Sequence, residues 1–191
     1  VGRNRGANYK ALTRDPAHPL FDRALMTSYP PGSTFKPTQG LILLQEGIIT
    51  TGTAYPCHHG YISGRLRVGC HSHASPLALK PALQTSCNAF FCYGFKAMID
   101  RRSKYGNSAN AFEVWKKHLV SMGYGYRLGI DLPGESRGFI PNDRFYNKIY
   151  GKGHWSANTI ISVSIGQGEI GATPVQIANL CATIANRGWF I

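Results

Sequence analysis

A serine and a lysine three residues apart, Ser33 and Lys36, could perform nucleophilic chemistry. On a helix, positions i and i+3 share a face, which brings the two side chains within hydrogen-bond reach. A serine hydroxyl attacks well only when a base takes its proton. A lysine can be that base only if burial or nearby positive charge lowers its pKa from about 10.4. Taken alone, the pair more often represents a capping serine and a solvated lysine.

A second polar pair, Ser86 and Asn88, lies between a short predicted helix and a long apolar one. In chemistry that uses an activated serine, a second serine can relay a proton and an amide can hold a peptide group. Two other segments, Ser108-Ala109-Asn110 and Ser156-Ala157-Asn158, match the same pattern without an apolar helix directly behind them. By itself the pair is also explained as capping of the helix that follows.

Cysteine and histidine side chains are concentrated between residues 57 and 87. The candidate metal ligands are Cys57, Cys70, His73 and Cys87, with His71 as the alternative histidine. Sulfur and imidazole ligands at this density suit tetrahedral Zn²⁺, although the spacing is not that of a standard zinc finger. A Cys57–Cys70 disulfide in an oxidising compartment and a plain histidine-rich surface remain open alternatives. The odd total of five cysteines argues against a fully paired disulfide scaffold.

The first pair stands at the start of a predicted helix over 33–46, which Gly47 ends. Pro37 conflicts with a regular helix, because its ring would clash with the carbonyl four residues back. The conflict is resolved if Ser33 lies at the very N-terminus, in an irregular or 3₁₀ first turn. Developing negative charge on Ser33 would then be favoured by the backbone N–H groups of the helix start.

The remaining elements are mostly helical. Residues 1–9 have a loop-like composition, and residues 61–68 predict a small β-hairpin around Ser63-Gly64-Arg65. Apolar periodicity and capping residues predict further helices at 77–85 (Ser75 as cap, Pro76 at its first position), 88–102, 107–122 and 174–186. Residues 160–165 predict a short strand or a buried turn. The fold is therefore expected to be mainly α.

Composition excludes some classes of function. The 191 residues contain no apolar run long enough for a membrane span, and no signal peptide opens the chain. Its first ten residues look like interior sequence, so we expect the chain to be part of a longer protein. The net charge is +12, but the basic residues are scattered, which favours a solvated basic surface over a nucleic-acid partner.

Four segments occur together in a recognisable order. They are Pro30-Pro31-Gly32-Ser33-Thr34-Phe35-Lys36-Pro37, Ser86-Cys87-Asn88-Ala89-Phe90-Phe91, Asp131-Leu132-Pro133-Gly134-Glu135, and Gly166-Gln167-Gly168-Glu169-Ile170 with Ala172-Thr173-Pro174. This series resembles the transpeptidase domain of the class B penicillin-binding proteins, and most of all its elongation-type members. The resemblance covers nearly the whole chain. It implies the helical part of the α/β penicillin-binding and serine β-lactamase-like fold, with a small β-hairpin and most of the central sheet missing.

The resemblance also implies a role for each motif residue. Ser33 would attack the D-Ala-D-Ala carbonyl of a peptidoglycan stem peptide to form an acyl-enzyme, and β-lactam antibiotics would acylate the same atom. Lys36 would act as the base for acylation, Ser86 would link Lys36 to the leaving amine, and Asn88 would bind the substrate amide. Some elongation-type members carry a metal site in this region, which favours a structural Zn²⁺ on Cys57, Cys70, His73 and Cys87.

The implied enzyme cross-links the cell wall. It is anchored in the bacterial inner membrane, with its catalytic domain in the periplasm. Its expected partners are lipid-linked precursor strands that carry stem peptides, a membrane glycan polymerase and scaffold proteins of the elongation complex.

No Lys-Thr-Gly or Lys-Ser-Gly triplet occurs in the sequence, although the family carries one on a sheet strand after the last helix. We therefore expect residues 1–191 to be a partial transpeptidase domain that lacks this segment and the leading strands, and to be inactive alone. Three alternatives keep part of the pattern: a β-lactam sensor, a D,D-carboxypeptidase or β-lactamase of the same fold, and a zinc-stabilised basic binding module.

Overall fold

The structure, a computed structural model, describes residues 3–189 and is mainly helical. Over this range the α-helices are α1 (Arg5–Arg14), α2 (Arg23–Met26), α3 (Lys36–Gln45), α4 (Leu79–Gln84), α5 (Asn88–Ile99), α6 (Arg102–Tyr105), α7 (Ser108–Ser121), α8 (Asp143–Tyr150) and α9 (Pro174–Ala185). Two 3₁₀ segments, Gly32–Phe35 and Ile161–Ile165, complete the helical part. No helix in the described range has the length and apolar character needed to cross a bilayer.

The strands of this range form two small antiparallel sheets. They are β1 (Ala54–Tyr55), β2 (Gly60–Ser63), β3 (Leu66–Gly69) and β4 (Leu77–Ala78). Strands β2 and β3 make the predicted hairpin, with Gly60 opposite Gly69 and Ser63 opposite Leu66. Strand β1 pairs with β4. The expected mainly α architecture with one small hairpin and little sheet is confirmed, and the β1–β4 pair adds to it.

Helix α5 is the centre of the core. Its sequence is apolar nearly all round, which is typical of a helix buried on every side. It packs against α3, α7, strand β2 and the 3₁₀ segment 161–165. Gly94 allows the close approach of α3, because a Cβ at this position would lie 2.4 Å from Leu43 Cδ1. The buried helix therefore fixes α3 and the residues at its start.

Helix α3 begins as the sequence predicts. Gly32–Phe35 forms a 3₁₀ turn, and Lys36 opens the α-helix with Pro37 within its first turn. Proline is tolerated there because the first N–H groups of a helix have no intrahelical partner.

The opposite end of α3 is held by a polar cluster. The carboxylate of Glu46 accepts hydrogen bonds from Lys104 Nζ, Tyr105 OH and His118 Nε2, each at 2.6 Å. Burial opposes its charge, but these donors lower the pKa of Glu46 to about 2. The charged carboxylate therefore ties α3 to α6 and α7.

Two local predictions are wrong or need new bounds. Residues 5–9 belong to α1 rather than to a loop, while residues 1 and 2 lie outside the described range. The predicted helix 77–85 starts as strand β4, and α4 begins only at Leu79. Ser75 does not cap it, because its hydroxyl accepts the N–H of Cys57 at 2.9 Å. Of the two alternatives predicted for residues 160–165, the buried turn is the one observed, as the 3₁₀ segment Ile161–Ile165.

Candidate functional site

Four residues from two segments, Ser33 with Lys36 and Ser86 with Asn88, meet at the start of α3 and α5. Lys36 Nζ is surrounded by oxygens, namely Ser33 Oγ at 3.1 Å, Ser86 Oγ at 2.7 Å, Ser86 O at 2.6 Å and Asn88 Oδ1 at 2.6 Å. Ser86 Oγ in turn donates to Ser33 Oγ at 3.0 Å. The structure therefore brings together all four residues that the sequence singled out as catalytic candidates, and the Ser33 hydroxyl remains exposed to solvent.

Lys36 is the most deeply buried member, with 2% of its surface exposed. Burial lowers the pKa of its amine, and nearby Cys70, Cys87 and Cys92 oppose that shift when they are charged. The amine also lies 5.9 Å from the centre of the Phe91 ring, which attracts the charged form. The net effect is a lowered pKa. At a given pH, more of the amine is therefore neutral, the form that can accept a proton, than in a solvated lysine.

The backbone of Ser86 adopts a left-handed conformation with φ of +52°. Such a conformation costs a non-glycine residue about 1–2 kcal/mol. In this conformation both oxygens of Ser86, its carbonyl and its hydroxyl, lie within 2.7 Å of Lys36 Nζ. The turn between α4 and α5 thus supplies two of the four oxygens around the lysine.

The end of strand β3 orients the Asn88 side chain. Its Nδ2 donates to the Gly69 carbonyl at 2.8 Å, which leaves Oδ1 for Lys36. Its backbone N–H donates to Cys70 Sγ at 3.3 Å. The hairpin therefore fixes which way the Asn88 amide points, a contact that neither motif nor periodicity indicates.

The segment Gly166-Gln167-Gly168, here the glycine loop, contacts the 3₁₀ turn Gly32–Phe35 that carries Ser33, here the serine turn. Gly32 N donates to the Gly166 carbonyl at 2.7 Å, and Tyr29 exchanges two backbone hydrogen bonds with Ala172 at 2.8 and 3.0 Å. Gly166 has a φ of +71°, and a Cβ there would lie 2.4 Å from the Gly32 carbonyl oxygen. The Gly166-Gln167-Gly168 segment is recognisable in the sequence as part of a family motif, but its contact with the turn that carries Ser33 is not.

The predicted metal ligands also converge. One ligand atom each from Cys57, Cys70, His73 and Cys87 lies within 4.8 Å of the others, so His73 rather than His71 joins the three sulfurs. His73 Nε2 lies 3.4 Å from Cys70 Sγ, and its Nδ1 lies 2.7 Å from the Ala74 carbonyl oxygen. A carbonyl at Nδ1 is the usual outer partner of a histidine that binds metal through Nε2. All three cysteines are free thiols rather than disulfide partners.

The protonation of these thiols depends on their surroundings. Burial raises the pKa of Cys57 and raises that of Cys87 to about 12. Burial acts in the same direction on Cys70, but the N–H of Asn88 and the His73 ring outweigh it, and its pKa lies below the ordinary value of 9.0. A divalent cation between the sulfurs would favour all three thiolates. The donor set therefore fits a soft, tetrahedral cation.

The family model described as "Penicillin binding protein transpeptidase domain" matches residues 3–190. The chain belongs to this family. The resemblance stated from the motifs is thereby confirmed at the level of the family.

Individual members of the family are similar over most of the chain. The peptidoglycan D,D-transpeptidase MrdA of Acinetobacter baumannii is 33% identical over 95% of this chain, and that of Haemophilus influenzae is 32% identical over the same share. A solved complex of penicillin-binding protein 2 with MreC from Helicobacter pylori matches 93% of this chain, with 25% identity and a TM-score of 0.73. The chain spans 26% of each of the two curated relatives and 30% of that solved chain.

The contact between Gly166 and the serine turn generates a testable prediction for this transpeptidase domain. We expect Gly166→Ala to lower the melting temperature and to slow acylation by a fluorescent penicillin, the reaction that gives the family its name, because the new methyl group must displace the Gly32 carbonyl. The strain of a side chain at positive φ adds about 1–2 kcal/mol to the loss. Thermal unfolding and the acylation rate of the full-length protein measure the two effects.

Gly47→Ala is the matched control, since Gly47 has a φ of +61° and open space where its Cβ would lie. It should lose stability through strain alone and keep its acylation rate. If Gly166→Ala behaves no differently from this control, the glycine loop does not support the serine turn.

Proposed function

We propose that this chain forms the Ser-x-x-Lys and Ser-x-Asn wall of a serine D,D-transpeptidase that cross-links peptidoglycan stem peptides. The observation that carries the proposal is the buried Lys36 amine within hydrogen-bond distance of the exposed Ser33 hydroxyl, with Ser86 as a second link between them. Membership of the transpeptidase family and the names of the curated relatives support it.

In the acylation step, the neutral Lys36 amine takes the Ser33 proton while Oγ attacks the carbonyl carbon of the penultimate D-Ala. The bond to the terminal D-Ala breaks, and a proton passes through Ser86 to the leaving amine. The amide of Asn88 holds the substrate backbone. The N–H of Ser33, at the start of the helical segment, stabilises the developing oxyanion.

In the transfer step, the amine of a second stem peptide attacks the acyl-enzyme and Ser33 regains its proton. The same four residues act in the reverse order. The acceptor amine must lose a proton in this step, whereas the leaving amine gained one in the first step. A β-lactam acylates the same oxygen, but its leaving group remains tethered. Penicillin is therefore a suitable probe of the first step.

The setting of the enzyme follows from its relatives. We propose an inner-membrane protein with this domain in the periplasm, which acts on lipid-linked precursor strands. The relative from Helicobacter pylori is in complex with MreC. By extension, the partners proposed here are a scaffold protein of that kind and a membrane glycan polymerase.

The site in this chain forms one wall of a cleft. We propose that residues 1–191 are a partial domain and that the Lys-Thr-Gly strand of the family supplies the opposite wall, since no such triplet occurs in the chain. The 191 residues alone should therefore react slowly with penicillin.

Replacing the nucleophile gives the first test of the function. In the full-length protein, Ser33→Ala should reduce covalent labelling by a fluorescent penicillin by roughly a thousandfold or more, because no other hydroxyl can form the acyl-enzyme. Ser108→Ala, which alters a matching Ser-Ala-Asn segment, should label at the normal rate. Labelling is measured by gel fluorescence over time.

The same measurement separates the alternatives. A binding module that uses only the zinc cluster would label weakly whether or not Ser33 is present, and this outcome would refute the nucleophile. A β-lactamase would release the label within the assay, whereas a sensor would label but leave D-Ala-D-Ala peptides intact. A transpeptidase keeps the label and transfers stem peptides to an acceptor amine.

The pH dependence of acylation tests the role of Lys36. Because only the neutral amine can take the proton, the labelling rate should rise with pH. Since burial lowers the pKa of Lys36, the midpoint should lie below its ordinary value of 10.5. Lys36→Arg should lose acylation throughout, since a guanidinium stays charged. Lys117→Met, which removes an exposed lysine on α7, should leave the profile unchanged. A flat profile would exclude Lys36 as the base.

We further propose that Cys57, Cys70, His73 and Cys87 hold a structural Zn²⁺. Tetrahedral Zn²⁺ with Zn–S distances of about 2.3 Å places its ligands about 3.8 Å apart, so the four atoms need to close in only slightly from their spread within 4.8 Å. The cation would join the end of β3 to the turn that carries Ser86 and Asn88. Its role is structural, because four protein ligands leave no open position for substrate or water.

Zinc removal tests this second proposal. The full-length protein should contain about one zinc per chain, and chelation should lower its melting temperature by about 10 °C, as expected for a metal worth roughly 4 kcal/mol. Cys87→Ser should lose the zinc, whereas Cys181→Ser, at an exposed position on α9, should keep it. If the protein takes up no zinc even after complete reduction of its thiols, the metal assignment is wrong.

A further inference from the structure

The main chain and the side chain of Asn88 are both held by the end of strand β3. Cys70 Sγ accepts the backbone N–H of Asn88 at 3.3 Å, and the Gly69 carbonyl accepts its Nδ2 at 2.8 Å. With Nδ2 occupied, Oδ1 faces Lys36 Nζ at 2.6 Å. Cys70, whose sulfur accepts the Asn88 N–H, therefore directly follows Gly69, whose carbonyl orients the Asn88 amide.

The same sulfur lies beside two other thiols. Those of Cys57 and Cys87 are buried, whereas Cys70 is partly exposed and is the thiol of the cluster that a reagent from solvent can reach. Cys57 and Cys70 flank the base of the hairpin, where Cys70 N donates to the His59 carbonyl at 2.9 Å. A disulfide requires neighbouring backbone segments of this kind, because its Cα atoms lie only about 4.4–6.8 Å apart.

We propose that Cys70 is a redox-controlled positioning residue for Asn88, and that a Cys57–Cys70 disulfide switches acylation off. This inference rests on the transpeptidase function proposed above and adds its regulation. In the reduced state, the Cys70 sulfur accepts the Asn88 N–H and the amide points at Lys36. In the oxidised state, the sulfur is bonded to Cys57 and the amide loses its position.

The oxidant is a disulfide, either of a small thiol or of a partner protein. The Cys70 thiolate attacks one of its sulfurs, expels the other as a thiolate and forms a mixed disulfide. The Cys57 thiolate then attacks Cys70 Sγ, which forms the Cys57–Cys70 bond and releases the second thiolate. The two cysteines lose two electrons in total, the oxidant gains them, and the two protons pass to the released thiols. Any ion held by these sulfurs leaves, because only Cys87 and His73 remain as ligands.

The geometric consequence follows from the length of the new bond. The sulfurs must come to about 2.05 Å from each other, whereas the ligand atoms of the cluster are now spread over as much as 4.8 Å. Cys70 Sγ therefore moves relative to the Asn88 N–H at the start of α5, and the adjoining Gly69 carbonyl moves with it. A displacement of about 1 Å at a catalytic group can cost about a hundredfold in rate.

The test uses full-length Cys181→Ser protein, so that the exposed thiol on α9 cannot contribute. Cys181→Ser itself should be acylated by fluorescent penicillin at the normal rate. After treatment with oxidised glutathione, a peptide map should contain a Cys57–Cys70 link, and a coloured chelator should detect released zinc. The acylation rate should fall about 10- to 100-fold. Dithiothreitol followed by zinc should restore it.

A reduced sample treated with chelator separates loss of metal from the disulfide itself. It should retain most of its acylation rate, and if it loses as much as the oxidised sample, the disulfide is not the switch. The inference is also overturned if no Cys57–Cys70 link forms, or if the link forms and the rate stays within twofold. Failure of the reduced, zinc-loaded protein to react with penicillin would instead refute the transpeptidase function.

Discussion

The arrangement of the site depends on the burial of one amine. Lys36 Nζ is removed from water, and an ammonium in such a place is costly unless oxygens replace its hydration. Four oxygens do so, and they come from three residues in two separate segments of the chain. An ammonium has three N–H groups, so the four oxygens share them. A neutral amine would instead donate to two of the oxygens and accept the Ser33 proton. The same four oxygens therefore suit both protonation states, as the role of general base proposed for Lys36 requires.

A different local feature brings each of the three residues to Lys36 Nζ. The 3₁₀ turn at Gly32–Phe35 places Ser33 on the same face as Lys36. It also keeps Pro37 within the first turn of α3, where a proline is tolerated. The left-handed backbone of Ser86 turns both of its oxygens towards the amine. Helix α5 fixes the position of Asn88, its first residue, because the helix is buried and apolar. The strained backbone of Ser86 is tolerated because the packed core around α5 determines the positions of both segments.

Much of this arrangement can be predicted from the sequence, for identifiable reasons. The i, i+3 spacing of Ser33 and Lys36, the conflict caused by Pro37 and the apolar character of α5 are local signals, and the structure agrees with each of them. The bond between Gly69 and Asn88, the contact of Gly166 with Gly32, and the anchoring of Glu46 by α6 and α7 were not predicted. They join residues far apart in the chain, and a backbone carbonyl or a glycine Cα leaves no residue-type signal of its partner.

The four candidate metal ligands could be predicted from the sequence only in part. Their residue types indicated a metal or a disulfide, but only the fold could distinguish His73 from His71 and place the three sulfurs together. The decisive feature is the hydrogen bond that orients the His73 ring on the Ala74 carbonyl. A sequence pattern contains no information about ring orientation, because that depends on the conformation of a single turn.

The sulfur cluster and the serine site are also joined through the backbone itself. Cys87 has an extended conformation, with φ of −66° and ψ of 113°, between Ser86 and Asn88. Ser86 Oγ and Asn88 Oδ1 contact Lys36 Nζ, whereas Cys87 Sγ lies with the other ligand atoms of the sulfur cluster. Its sulfur also caps α5 by accepting the N–H of Phe90 at 3.4 Å. Disulfide formation in the cluster would therefore act on the start of α5, and through it on the oxygens that surround the lysine.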